Sequence, residues 1–202
     1  MRRLIALSTI AILSAAGPAV QAADAQPART EAEQQAIAEV RRLGGSVMDL
    51  AQNDPRLVVA YHLADQKATD EQLAPLAKLP QIVELNLRGT DVTDEGLRQI
   101  AGLKGLVRLH LEKTKIGDAG LAHLKGLENL EYLNLYGTQV TDEGLKQLSG
   151  LKKLKKVYVW ETQVTETGAD ALKKALPEVA VIRGAALAPE PEKPADPKKE
   201  QK

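Results

Sequence analysis

Three histidines, His62, His110 and His123, and two serines beyond the first apolar run, Ser46 and Ser149, are the residues of this 202-residue chain suited to proton transfer or nucleophilic attack. There is no cysteine, so thiolate catalysis, thiolate metal ligation and disulfides are all excluded. A catalytic triad requires its members to converge within hydrogen-bond reach. The chain repeats with a period of 24 residues, and in that frame Ser149 and His123 fall on or after helices while His62 and His110 share an outward strand column. No triad assembles. The two strand histidines are separated by two repeats, roughly 10 Å at ~4.8 Å per strand, whereas one metal ion needs ligands at ~2 Å. Asp94, Asp118, Asp142 and Glu166 form an acidic column that could be imagined as a calcium ladder. They project from separate turns, however, and calcium wants about six to eight converging oxygens. Placement in the first turn of successive helices, where a negative charge is favourable, explains them better. The glycines nearby form no GxGxxG or GKS sequence, so they read as close-packing positions rather than a phosphate cradle. The expectation is a non-enzymatic chain with no cofactor and no metal.

The chemistry that remains is that of contact. Aromatic residues are scarce, with four Tyr, one Trp and no Phe, and two of them sit in the stretch KKVYVW, residues 155–160. Alternation along a strand puts Val157 and Val159 on one face and Lys156, Tyr158 and Trp160 on the other. In the preceding repeat the same outward positions hold Tyr132, Asn134 and Tyr136. Four of the five aromatic residues therefore converge on two adjacent strands, with Tyr136 and Trp160 direct neighbours at ~5 Å and Tyr158 diagonal to Tyr132 and Tyr136. Earlier repeats carry Ala60, His62, Ala64, Glu84, Asn86, Arg88, Arg108, His110 and Glu112 there: small, polar or charged. Exposed Tyr and Trp beside Arg, Asn and Lys is the composition of a binding hot spot. The alternative is that the rings pack on one another to cover the end of the array. Lys152, Lys153, Lys155 and Lys156 form a basic rim, which reads either as attraction for an anionic partner or as solvated surface.

Those positions are set by the repeat. Segments beginning at Ile82, Leu106 and Leu130 superpose without gaps at a spacing of 24 residues. A weaker copy begins at Leu154 and a degenerate one at Val58. Leu85, Leu109, Leu133 and Val157 form one apolar column and Leu87, Leu111, Leu135 and Val159 another two residues on, which marks a short strand with one buried face. Val92, Ile116, Val140 and Val164 continue inward. Apolar residues then recur every third position, as in Leu97, Ile100 and Leu103, which predicts a short helix capped by Thr93, Thr141 or Thr165. One strand and one helix per turn can bury their apolar faces only against neighbouring turns.

The register LxxLxLxxTxVTDxGLxxLxxL resembles a leucine-rich repeat, with Thr90, Thr114, Thr138 and Thr162 where that family more often has Asn or Cys. The TDxGL element and the closing ALKKALPEVAVIRG are similar to exported leucine-rich repeat proteins of planctomycete-like bacteria. The resemblance covers Leu57 to Arg183. It implies an α/β fold: a short right-handed solenoid arc with parallel strands on the concave face, short helices on the convex face, and a surface offered to a partner. Some relatives carry such arrays beside a haem-binding cytochrome-type module, but this chain has no C-x-x-C-H to attach haem.

The ends differ in composition. Residues 1–22 read as a secretory signal peptide, with two arginines, an apolar run from Leu4 to Ala16 and small residues before a cleavage site after Ala22 or Ala25. An uncleaved anchor is the competing reading, since Leu4 to Ala23 just reaches the ~20 residues of a spanning helix, against which Pro18 and the small residues argue. Residues 28–56 are expected to form an N-terminal cap of helix and strand, opened by the capping box Thr30-Glu31-Ala32-Glu33, with Ala36, Ile37, Val40 and Leu43 on its apolar face. Residues 57–183 form about five repeats and a terminal half-repeat, in which Ala169 and Ala175 replace column leucines. Residues 184–202 are a Pro/Lys/Glu-rich tail expected to be disordered. Zero formal net charge, from 27 basic and 27 acidic residues, gives no global attraction to nucleic acid or an anionic membrane. The chain is thus expected to be periplasmic or secreted, without stable membrane insertion once cleaved. Its expected partner is a protein or peptide, an envelope component among the candidates, met on the concave face by Tyr132, Tyr136, Tyr158 and Trp160 as apolar anchors, with Asn134 among them and Lys156, Arg88 and Arg108 as orienting groups. Glycan or cell-wall binding through the Tyr/Trp platform is the alternative.

Overall fold

The computed structural model describes residues 29–64 and 66–184; the expected signal peptide and all of the tail beyond Gly184 lie outside the described residues. Among these, seven strands form one sheet in chain order: β1 (Ser46–Asp49), β2 (Leu57–Ala60), β3 (Ile82–Asn86), β4 (Arg108–His110), β5 (Tyr132–Asn134), β6 (Lys156–Tyr158) and β7 (Ala180–Ile182). From β2 to β7 all neighbours are parallel, while β1 pairs antiparallel with β2. Helix α1 (Glu31–Arg42) precedes the sheet, and α2 (Asp94–Ile100), α3 (Asp118–Ala122), α4 (Asp142–Lys146) and α5 (Glu166–Ala175) follow their strands on the opposite side of the core. The capping box forms as the sequence predicts: the Thr30 hydroxyl accepts from the Glu33 amide at 3.3 Å, and the Glu33 carboxylate accepts from the Thr30 amide at 2.8 Å. Ala36, Ile37 and Val40 are buried by α1.

The apolar columns are the core. Leu85, Leu109, Leu133 and Val157 are fully buried, as are Leu87, Leu111 and Leu135. Strict spacing by three leaves its mark on the helices, because residues at i and i+3 eclipse in a 3-10 helix but drift apart in an α-helix. After α3 and α4 the chain tightens into 3-10 turns (His123–Gly126 and Gln147–Gly150), and the first repeat uses a 3-10 helix throughout (Asp70–Lys78). Where α5 stays α-helical, the frame slips by one. Ala175, expected in the position of Leu151, is exposed, and Leu172 and Leu176, four apart on one helix face, are buried in its stead.

A second slip, of two residues, affects the first repeat. Val59 pairs with Leu85 and Ala60 with Asn86, a spacing of 26, whereas Asp70 still stands 24 before Asp94. The turn after β2 absorbs the difference. Tyr61 therefore fills the column of Leu87, its amide donating to the Asn86 carbonyl as the Leu87 amide donates to that of His110. It is buried, its hydroxyl donates to the Gln72 carbonyl at 2.7 Å, and burial pushes the phenol well above its ordinary value. Two sequence expectations fall with this. His62 does not share a column with His110, and Ala60, His62 and Ala64 are not consecutive outward strand positions. Ala60 is buried, and the other two lie past the end of the strand.

On the convex side each repeat is stapled to the next by its TDxG element. Asp118 accepts from the Thr141 amide at 2.8 Å and from its hydroxyl at 2.6 Å. Asp70 does the same with Thr93, and Asp142 with Thr165. In the repeat where glycine replaces threonine only one bond remains, from the Gly117 amide to Asp94 at 2.7 Å. The aspartates are thus more than first-turn acids, because each bridges to the N-cap of the following helix. The same contact explains the glycines. A Cβ on Gly96, Gly120, Gly144 or Gly168 would collide with the preceding repeat's aspartate Oδ1. Glu166 closes the column among the described residues and is exposed.

Candidate functional site

The concave face is read across the strands in two ladders and along one row of turns. Glu84, Arg108, Tyr132, Lys156 and Ala180 are successive register partners, and so are Asn86, His110, Asn134, Tyr158 and Ile182. Two residues further along each repeat lie Arg88, Glu112, Tyr136, Trp160 and Gly184. This third row sits on turns, whose form the backbone dictates. Each turn passes through a left-handed residue, at Gly89, Lys113, Gly137 and Glu161, the two side-chain-bearing members at a cost of about 1–2 kcal/mol each. Each of the first three amides donates to the next repeat's row residue: Gly89 to the Glu112 carbonyl at 2.7 Å, Lys113 to that of Tyr136 at 2.7 Å and Gly137 to that of Trp160 at 3.0 Å. Asn86 and Asn134 add turns of their own, their side-chain oxygens accepting from the Arg88 and Tyr136 amides at 3.1 Å. The row is thereby held by main chain, leaving its side chains free to vary.

All eight expected site residues lie on this face, in two clusters. In the first, Tyr132 and Tyr158 stand 5.4 Å apart, His110 stacks at 4.9 Å on Tyr132, and the Arg108 guanidinium lies 4.4 Å over the same ring while pairing with Glu84 at 3.2 Å. Burial is the main reason the Tyr132 phenol is raised above its ordinary value. Lys156 is exposed beside this cluster. In the second, Tyr136 and Trp160 meet at 5.3 Å, the Lys113 ammonium stands 5.4 Å from the Tyr136 centroid, and a hydrogen bond to Glu161 raises the Tyr136 phenol. Trp160 is 54% exposed. Part of its ring lies close to Gly184, where a Cβ would come within 2.8 Å of it, so the end of the array supports the indole without covering it. Between Arg88 and Gly184 the row encloses an open groove of about 390 Å³, walled by Tyr136, Tyr158 and Trp160. A second groove, of about 450 Å³, lies beside Arg108, Tyr132 and Lys156.

The polar end of the face departs from expectation. Glu112, placed outward and wet by the alternation, is 7% exposed. Its Oε1 accepts from the Asn134 side-chain amide at 2.7 Å and lies 3.1 Å from His110 Nδ1. It lines one groove with Tyr136, Tyr158 and Trp160 of the following repeats. Sequence reasoning also missed Lys113, which reaches Tyr136 because its left-handed turn aims it there, and the exposed apolar residues Met48, Leu50 and Leu63 at the N-terminal edge. Column arithmetic does place Glu112 in one row with Tyr136 and Trp160, next to the first, which is the one signal that could have marked it. The basic rim is largely engaged: Lys153 binds Asn129 at 2.7 Å, Lys155 binds Glu131 at 2.7 Å and Lys152 the Ser149 carbonyl at 3.1 Å.

A seven-stranded, almost wholly parallel sheet, with one short helix per strand and leucines stacked in columns, is the arrangement a comparison of families can decide. The model of the family "Leucine Rich repeat" matches residues 80–101 and 126–149. The fold is a leucine-rich repeat solenoid. Among solved structures, the solenoid is similar to an internalin C2 of Listeria monocytogenes, with 30% identity, a TM-score of 0.46, and coverage of 54% of this chain and 44% of that one. It is similar as well to the leucine-rich repeat ectodomain of the receptor kinase SOBIR1 of Arabidopsis thaliana, at 13% identity, TM-score 0.48, 76% of this chain and 92% of that one. A leucine-rich repeat protein of Leptospira interrogans matches at 18% identity, TM-score 0.38, 54% of this chain and 33% of that one. The solenoid thus spans less than half of the internalin and a third of the leptospiral protein. No curated protein matched. Among the described residues no helix is long and apolar enough to cross a membrane.

Proposed function

We propose that this is an exported, non-enzymatic protein-binding module, periplasmic or secreted, that holds a protein or peptide partner on its concave face through Tyr132, Tyr136, Tyr158 and Trp160. The observation that carries this reading is the concentration of four of the chain's five aromatic rings on two neighbouring repeats, one of them a tryptophan 54% exposed. Exposed aromatic patches mark interfaces. Arg88 and Lys156, both exposed at the rims, supply orientation. Arg108 is committed to Glu84 and Tyr132, so its part is to stiffen the platform. The planctomycete-like relationship and an envelope setting, with the signal removed after Ala22, belong to the same proposal and rest on the sequence.

The test is capture from an envelope extract with the mature chain as bait, beside a Tyr158→Ala/Trp160→Ala variant of unchanged melting temperature. A partner retained by the first and lost by the second is the expected result. Equal recovery by both overturns the reading. The tilted Tyr136–Trp160 pair also has the shape of a sugar-stacking surface, and retention of the chain on insoluble cell wall, lost with the same two substitutions, would favour glycan binding.

A further inference from the structure

Glu112 is an anomaly on this face. Its side chain is nine-tenths buried and lines the groove walled by Tyr136, Tyr158 and Trp160. Oε1 is satisfied by Asn134 and His110, yet Oε2 is buried with no hydrogen-bond partner. A buried carboxylate oxygen left unpaired is costly, and a charge-assisted donor is its strongest remedy. The three rings around it are the groups that favour a cation next to a carboxylate, since each offers a negative face. The chain already uses this chemistry on the outer rings: Arg108 covers Tyr132 and Lys113 stands over Tyr136. Of the three groove rings only Tyr136 is so covered; among the described residues no cation of the chain sits over Tyr158 or Trp160.

Building on the concave-face reading, we infer that this groove recognises a lysine or arginine side chain of the partner protein, its aliphatic stem lying along Trp160 and Tyr136 and its charged head turned toward Glu112. A groove of about 390 Å³ has room for one such side chain. It is too small and too open to enclose a folded element. Arg88, exposed next to Glu112 in the row and without an ion pair among the described residues, meets acceptor groups of the same segment. The specificity is for one basic residue in an otherwise uncharged or mildly acidic peptide, not for a polybasic stretch.

Selection of random displayed heptapeptides on the full chain tests this. Enriched peptides are expected to share a lysine or arginine at one position. A synthetic peptide of that sequence, followed through the emission of Trp160, the chain's single tryptophan, should bind about tenfold more tightly than its norleucine counterpart, which keeps the stem and drops the charge. In Glu112→Gln the two should bind within about twofold of each other. Enriched peptides lacking a basic residue, or a lysine preference untouched by Glu112→Gln, overturn the inference and leave the concave-face reading standing. Peptides enriched equally on a Tyr158→Ala/Trp160→Ala variant overturn that reading instead. If Trp160 emission responds to changing Lys193, Lys198, Lys199 and Lys202 to glutamine and no peptide competes, the groove belongs to the chain's own tail and assignment to a partner falls.

Discussion

The convex and concave sides of this coil are threaded by the same repeats, yet only one of them repeats its chemistry. On the convex side Asp70, Asp118 and Asp142 each grip the next repeat's threonine by two bonds of 2.6–2.8 Å, and a glycine clears space for each acid. On the concave side the third row reads Arg88, Glu112, Tyr136, Trp160 and Gly184, no two alike, although the backbone bonds to the carbonyls of Glu112, Tyr136 and Trp160 are nearly identical. Positions where one residue type recurs every 24 residues serve the stacking of repeats. Positions held through their own backbone groups, where types differ, are available for contact. The core leucines belong to the first kind and the rings to the second.

That division is open to attack from either side. The largest effect should come from the core. Leu133→Ala empties a fully buried position in the middle of the array and should cost about 2–5 kcal/mol in urea denaturation. Next is the convex staple. Gly144→Val drives a side chain into Asp118, whose Cα lies 3.0 Å from the ideal Cβ site, for a loss of about 1–3 kcal/mol. Part of that loss should vanish in an Asp118→Ala background, because the two residues contend for one space. A strictly additive pair of substitutions would mean that the glycine serves some other end.

A smaller effect is the pH dependence of the same staple. Hydrogen bonds from Thr165 hold the Asp142 carboxyl below its ordinary value. A depressed folded-state pKa contributes stability that is present above the unfolded pKa of about 4 and is lost as the pH falls through the folded value. Melting temperature should therefore drop on acidification below about pH 4, and Asp142→Asn should shallow that drop while slightly lowering stability at neutral pH. An acid limb unchanged by the substitution would remove Asp142 from the account.

Much of this architecture was legible in the sequence because a repeat supplies its own alignment. Alternation placed Leu109 and Leu133 inward and Tyr132 and Tyr158 outward, and the structure agrees residue by residue. It failed where the period changed. Two extra residues in the turn after β2 moved Tyr61 from the column of Leu85 to that of Leu87 and left Leu63 outside the core, and an unbroken α5 replaced Ala175 by Leu176. A period cannot announce its own insertions. Burial by neighbours was equally hidden: Glu112 points outward in sequence terms and is buried all the same, its Oε1 bonded to Asn134 and close to His110. The interlock of TDxG was visible only as a spacing, since the partner of each aspartate lies 23 residues away and is met only once the coil closes its turn.

The smallest change in stability should accompany the largest change in binding, and measuring both at one place tests the central claim most directly. Tyr158→Ala/Trp160→Ala should weaken the captured partner's affinity, read by calorimetry, by at least about thirtyfold. Folding stability should hold within about 1 kcal/mol, as for surface positions away from the core. Undiminished affinity, or a loss of affinity matched by a collapse in stability like that of Leu133→Ala, would contradict the assignment of these rings to contact and return them to the core.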